Sequence, residues 1–197
     1  MENPNYLSWT QFYADFANKL SGYYNDRSKL ISLIMNAYAQ IHIKFPKMER
    51  DDVITDIDPF TVFGLFNKGI TNENRIKIMT ALAEALDVRT PVPQSFEGIP
   101  VVINLAATFF WFKDLRNQDD IENLWRVFLA ALRYADNPSE AGKQNFMKYY
   151  DAVLLQKGVK WNLTVGLYWI RPYHFLNLDS RNRWFITLPQ KDRKSVV

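Results

Sequence analysis

The chain contains no cysteine, which excludes disulfide frameworks, thiolate zinc sites and cysteine nucleophiles. Its two histidines, His42 and His174, have no acid or hydroxyl partner at a recognisable spacing, so an imidazole-based metal site or hydrolase triad is not expected. Only seven glycines are present, and none falls in a GxxxxGK[ST], GxGxxG or GxSxG stretch. Phosphate-cradling loops and the nucleophile elbow are therefore missing. No window approaches the ~18 consecutive apolar residues of a membrane span, and the longest apolar stretch, Val101 to Phe112, is interrupted by Asn104 and Thr108. Met1 to Asn5 lacks the basic-then-apolar pattern of a secretory signal. The expectation is a cytoplasmic protein with no membrane partner and no internal repeat.

What the sequence does contain is a surplus of rings. Aromatic residues make up 15% of 197 residues, with 6 Trp, 10 Tyr and 14 Phe, more than a core of this size needs, so some are expected to face a ligand. Apolar residues at 48% and charged residues at 23% describe one globular domain, expected over residues 1–189, with 190–197 as a linker or tail. The net charge of +3 hides an asymmetry. From Ala141 onward there are ten Lys/Arg against three acids, a net +7, which leaves −4 for the rest. Cations interleaved with Trp161, Tyr168, Trp169, Tyr173 and Trp184 are the ingredients of a surface that binds phosphates and stacks bases. Snorkelling lysines and core aromatics would give the same composition.

Periodicity predicts about six helices. Trp9, Phe12, Tyr13, Phe16 and Leu20 recur at helical spacing behind Ser8 as cap and a Leu7–Phe12 staple. A second helix follows Asn25-Asp26 and stops before Pro46, and Lys47 to Asp58 reads as a charged connector. Thr71 caps a third, ended by Pro91 and Pro93. Leu105 to Phe112 is apolar all round, which fits a buried helix or a central strand, and Ala106-Ala107 with the absence of Gly and Pro favour a fourth helix. Ile121 to Leu132 forms a fifth, and Asn137-Pro138 with Glu140 opens a sixth, which Gly158 ends. Beyond Gly158 the segments Asn162 to Ile170, Phe175 to Leu178 and Arg183 to Leu188 read as short strands, with Asp179-Ser180-Arg181-Asn182 as a hairpin turn. The expected fold class is thus α+β, six helices followed by a small antiparallel β-meander.

Three groups of residues carry candidate chemistry. The carboxylates Asp51, Asp52, Asp56 and Asp58 have the composition of a divalent-metal site, although no Glu-x-Lys strand follows them, and a solvated loop explains them more simply. The stretch Asp56 to Thr71 sets Phe60, Phe63, Asn67 and Lys68 ahead of a helix N-terminus, where backbone amides and an ammonium suit a phosphate and rings can stack. Gly166 to Arg183 places Tyr168-Trp169 beside a polar turn, with Asp179 able to accept from a base amino group and Arg171, Arg181 and Arg183 as cations.

These two last segments, with Asn72-Glu73-Asn74-Arg75 and the stretch from Asn104 to Phe109-Phe110-Trp111-Phe112-Lys113-Asp114-Leu115-Arg116, resemble the N-terminal region of McrB-like proteins. Those are AAA+ GTPase subunits of type IV, modification-dependent restriction systems. The resemblance runs from about Trp9 to Ile186. It implies a DNA-recognition domain for methylated cytosine, 5-methylcytosine or N4-methylcytosine, that flips the base into an aromatic pocket. It also implies a motor domain and a McrC-like nuclease subunit as partners, and no catalytic residue, cofactor or metal in this chain. N-terminal regions of such proteins have several unrelated folds, so the resemblance implies DNA specificity without identifying the mark.

The expected base pocket comprises Phe60, Phe63, Asn67, Trp111, Tyr168, Trp169 and Asp179. Lys68, Arg171, Ser180, Arg181 and Arg183 are the expected phosphate contacts. A metal-dependent nuclease using the Asp51–Asp58 carboxylates and a protein-interaction module are the alternatives.

Overall fold

The computed structural model describes residues 7–159 and 161–188, and the expected tail at 190–197 lies outside them. Helix α1 (Thr10–Ser21) buries Phe12, Tyr13, Phe16, Ala17 and Leu20 on one side, as its apolar stripe requires. Ser8 is not its cap: Trp9 holds that position without a side-chain bond. In α2 (Arg27–Gln40) the Asp26 carboxylate accepts the Lys29 amide, and Leu30, Ile34, Ala37 and Tyr38 face inward. Thr71 caps α4 (Asn72–Ala85) as its sequence predicts, accepting from the Asn74 amide. The longest helix, α5 (Asp120–Asp136), packs against α6 (Glu140–Leu154), which Ser139 rather than Asn137 caps.

Within the segment expected to precede a helix lies a helix of its own, α3 (Pro59–Gly64). Asp58 caps it by accepting the Phe60 and Thr61 amides, and Pro59 sits at its first position, where a missing N–H costs nothing. All six of its residues are buried, and it packs against α1, α5 and α7 (Asn162–Ile170).

The β-meander is not there. Asn162–Ile170 is helix α7, Phe175 to Leu178 is irregular, and Ser180–Thr187 is helix α8. The chain is all-helical, with eight α-helices among the described residues and a single isolated parallel bridge, Lys68 to Val102, as its strand-like pairing. The physical reason is burial on every side. In α7, Leu163, Val165, Leu167 and Trp169 are buried, but so are Asn162, Thr164, Gly166 and Ile170, and a short segment apolar all round carries no period that separates helix from strand. Gly166 decides the packing: a Cβ there would stand 2.5 Å from Phe60 Cδ1, so α7 meets α3 only because that atom is missing. Asp179-Ser180-Arg181-Asn182, expected as a hairpin turn, starts α8, with Asp179 accepting the Asn182 amide at 2.8 Å.

The expected fourth helix, Leu105 to Phe112, is also absent. Only Asn104–Ala106 forms a 3-10 turn, and the chain then runs irregularly to Asp120. Its backbone is drawn off by other partners. The Phe109 amide donates to Thr61 Oγ1 at 2.8 Å, and the Ala107 carbonyl lies against Gly64, where a Cβ would fall 2.1 Å away. The Lys113 amide donates to Glu49 at 2.9 Å. No helix among the described residues is long and apolar enough to cross a membrane.

Candidate functional site

The expected base pocket divides into a sealed part and an open part. Phe60, Phe63 and Trp169 are fully buried: Phe63 stacks on Trp169 with centroids 6.4 Å apart, and the Trp169 indole N–H donates to the Pro100 carbonyl at 2.9 Å. Asn67 is sealed with them, its Oδ1 accepting the Tyr13 hydroxyl at 2.6 Å. Tyr168 is half-buried against Trp9, centroids 5.8 Å apart. Asp179 is occupied as the α8 cap and by the Asn177 amide at 3.1 Å. Phe60, Phe63, Asn67 and Trp169 are thereby closed to a base. α3 and α7 carry their rings into the molecular centre because both helices have neighbours all round.

The expected phosphate contacts divide in the same way. Arg171 is buried, forking onto both Asp136 oxygens at 2.7 Å and reaching Asn18 at 2.8 Å, so it ties α7 to α5 and α1 rather than meeting solvent. That guanidinium holds the Asp136 carboxyl below the usual carboxylate range. Lys68 is half-buried in the turn before α4, and burial pushes its ammonium pKa down. Ser180, Arg181 and Arg183 are exposed at the start of α8.

Trp111 remains, 43% exposed, on the wall of an open cleft of about 530 Å³. Ile103, Leu105, Phe110, Phe112 and Leu115 line it with Trp111, Met48 and Lys47 come from the connector after α2, Gly158 from the turn between α6 and α7, and Asn162 from the first position of α7. Asn104 and Asn162 bring two carboxamides to this apolar surface, and among the described residues neither is engaged in a hydrogen bond.

Among the groups that fasten the irregular loop carrying the rings, one carboxylate is buried. Glu49 is buried and pairs with Arg116, which also donates to the Trp111 carbonyl at 2.8 Å and lies 4.9 Å from the Phe110 ring centroid. Arg50 lies 5.3 Å from Phe112, and Arg183 of α8 lies 5.8 Å from Trp161. The edge of Trp111 rests on Gly158, whose φ of +84° suits glycine. A Cβ there would stand 2.1 Å from the indole nitrogen. Trp161 immediately precedes the cleft residue Asn162 in the chain, and through it Arg183 is the α8 side chain linked to this end of the cleft. The cations on the far rim are paired, Lys47 with Asp52, Arg50 with Asp114 and Lys113 with Asp51, whereas Arg181 and Arg183 form no ion pair among the described residues.

The acidic connector does not converge. Asp51 pairs with Lys113, Asp56 with Arg27 at 3.0 Å, and Asp58 is buried as the α3 cap, where burial pushes its carboxyl up to about 6. Among the described residues no three His, Cys, Asp or Glu side chains gather as metal ligands do.

Sequence reasoning missed Ile103, Asn104, Leu105 and Asn162 as parts of one cleft. A signal was present in the run Phe109 to Phe112 followed at once by Lys113-Asp114: a helix there would have needed partners on every side, with charges adjoining.

Fold and site together define an all-helical domain with an open aromatic cleft and two exposed arginines on its last described helix. The chain belongs to the family described as domain of unknown function DUF8425, whose model matches residues 9–195. No curated protein and no solved structure matches it.

Proposed function

We propose that this domain recognises duplex DNA carrying a modified cytosine and receives that base, extruded from the helix, in the Trp111 cleft. The observation that carries the reading is the open, ring-lined cleft; beside its Asn162 in the chain stands Trp161, 5.8 Å from Arg183, and among the described residues Arg181 and Arg183 form no ion pair. Its volume of about 530 Å³ lies within the ~300–1,000 Å³ of small-ligand sites. Trp111 offers a stacking surface, worth ~1–3 kcal/mol per base, which offsets the few kcal/mol of extrusion. Asn104 and Asn162 take over the edge-reading role expected of Asn67 and Asp179, since a carboxamide can accept from an exocyclic N–H and donate to a ring nitrogen. Met48, Ile103 and Leu115 supply apolar surface for a methyl group. Ser180, Arg181 and Arg183 serve as phosphate contacts.

In this reading the chain is the specificity module of a McrB-like restriction system and works beside a AAA+ motor domain and a McrC-like nuclease, in keeping with the resemblance of its sequence. A nuclease built on Asp51, Asp56 and Asp58 has less support, because each carboxylate is engaged elsewhere.

The test is a titration of the whole chain against matched duplexes containing cytosine, 5-methylcytosine, 5-hydroxymethylcytosine, N4-methylcytosine or N6-methyladenine at one salt concentration. A modified cytosine should bind best, and Trp111→Ala should erase that ranking. Absence of duplex binding at low salt would remove the reading in favour of a protein-interaction module.

A further inference from the structure

The most exposed apolar side chain among the described residues is Leu105, 93% accessible, at the tip of the 3-10 turn on the lip of the cleft. Ile103, 70% accessible, stands beside it. A leucine so placed on a slack loop would fold back onto neighbouring apolar surface, but this turn is not slack. The Val102 amide donates to the Asn67 carbonyl at 3.0 Å at one end, and Phe109 donates to Thr61 at the other. Between them the Ala106 amide closes the turn on the Ile103 carbonyl at 2.8 Å, and the Ala107 carbonyl is seated against Gly64 of the buried helix α3. The core therefore holds Leu105 outward as a fixed apolar point within the same cleft that Trp111 lines.

From this geometry, and resting on the DNA reading above, we infer that Leu105, flanked by Ile103, is a wedge that enters the duplex and fills the space left by the extruded base. Apolar side chains inserted between base steps are a known means of unstacking DNA, and an open stack is a hole that water fills poorly. A wedge on the lip of the receiving cleft couples the two events: the base can leave the stack into the cleft only where the leucine can take its place. Arg181 and Arg183 supply the attraction to the backbone that an apolar point alone does not have.

The coupling is tested with the whole chain, Leu105→Ala and Leu105→Met, on two 5-methylcytosine duplexes. One is fully paired. The other carries an abasic site opposite the modified base, so that the stack is already open. A 2-aminopurine beside the target reports unstacking by its fluorescence. Leu105→Ala should weaken binding to the paired duplex at least tenfold and lose the fluorescence rise, yet bind the pre-opened duplex within about twofold of the unaltered chain. Leu105→Met, which keeps an apolar point of similar size, should behave as the unaltered chain does.

Equal losses on both duplexes, or no loss on either, would overturn the wedge while leaving the DNA reading intact, provided that Trp111→Ala still erases the preference for modified DNA. Loss of a dimer on Leu105→Ala, read by sedimentation, would also overturn it, because the leucine would then be an interface residue between copies. If the unaltered chain binds neither duplex, the DNA reading fails first and the wedge with it.

Discussion

Two clusters of rings are built on opposite principles. Phe60, Phe63 and Trp169 belong to helices with neighbours on every side, and their positions follow from close helix–helix approach at Gly166. Trp111, Phe112 and Trp161 border solvent, the first two on irregular chain fastened by side-chain bonds to Glu49. The lesson is that a surplus of aromatic residues splits into two uses, and ring identity does not say which. The side-chain partners of the adjoining backbone do.

The comparison breaks first at the tryptophans. Trp169→Ala should cost about 3–5 kcal/mol, read as a lowered urea midpoint, because it empties a packed site and orphans the Pro100 carbonyl. Trp111→Ala should cost about 1 kcal/mol or less. Equal costs would mean that the rim is core.

The next largest effect separates the two fastenings. Glu49→Ala leaves the Arg116 guanidinium without its buried partner, a loss of about 3 kcal/mol. Amides of residues 109–116 should exchange faster, while those of α3 keep their protection. Uniform loss of protection would mean that the rim is not a separate unit.

On the buried side, Asp58 gives the cluster a pH signature. Its carboxyl titrates near 6 in the folded chain, above the ordinary 3.8, so the folded state holds the extra proton between those values. That stabilisation is complete below about pH 4 and lost as the pH rises through 6, a change of about 2–3 kcal/mol. Asp58→Asn, which still accepts the α3 amides, should flatten this part of the pH–stability curve. An unchanged curve would assign the pH dependence to other groups.

The smallest effect on folding belongs to α8. Arg183→Ala should leave stability within about 0.5 kcal/mol and weaken all duplexes alike, lowering the slope of log affinity against log salt by about 1. A loss confined to modified duplexes would move Arg183 from backbone anchor to base reader.

Legibility of the sequence followed the same division. Helices α1, α2, α4, α5 and α6 were readable because each shows an apolar stripe with a polar back. Helix α3 had its signals, a capping Asp58 and Pro59 at the first position, inside a stretch that otherwise reads as connector and turn. Helix α7 was hidden by burial of every face, and α8 by the fact that Asp-Ser-Arg-Asn opens a hairpin turn and a helix equally well. For the candidate site, Trp111, Ser180, Arg181 and Arg183 are where a ligand can reach them, whereas Phe60, Phe63, Asn67, Trp169 and Arg171 are in the interior. Nothing in their local pattern separates the two sets, because exposure there is decided by contacts across more than thirty residues, such as Arg171 with Asp136 or Lys113 with Glu49.

Gly158 makes the wall of the cleft answerable to one backbone position. A methyl group added there would stand 2.1 Å from the Trp111 indole nitrogen on a backbone at φ +84°, so neither the ring nor the turn between α6 and α7 could keep its place. The absence of a side chain at that residue is thus a condition for the cleft having the outline it has.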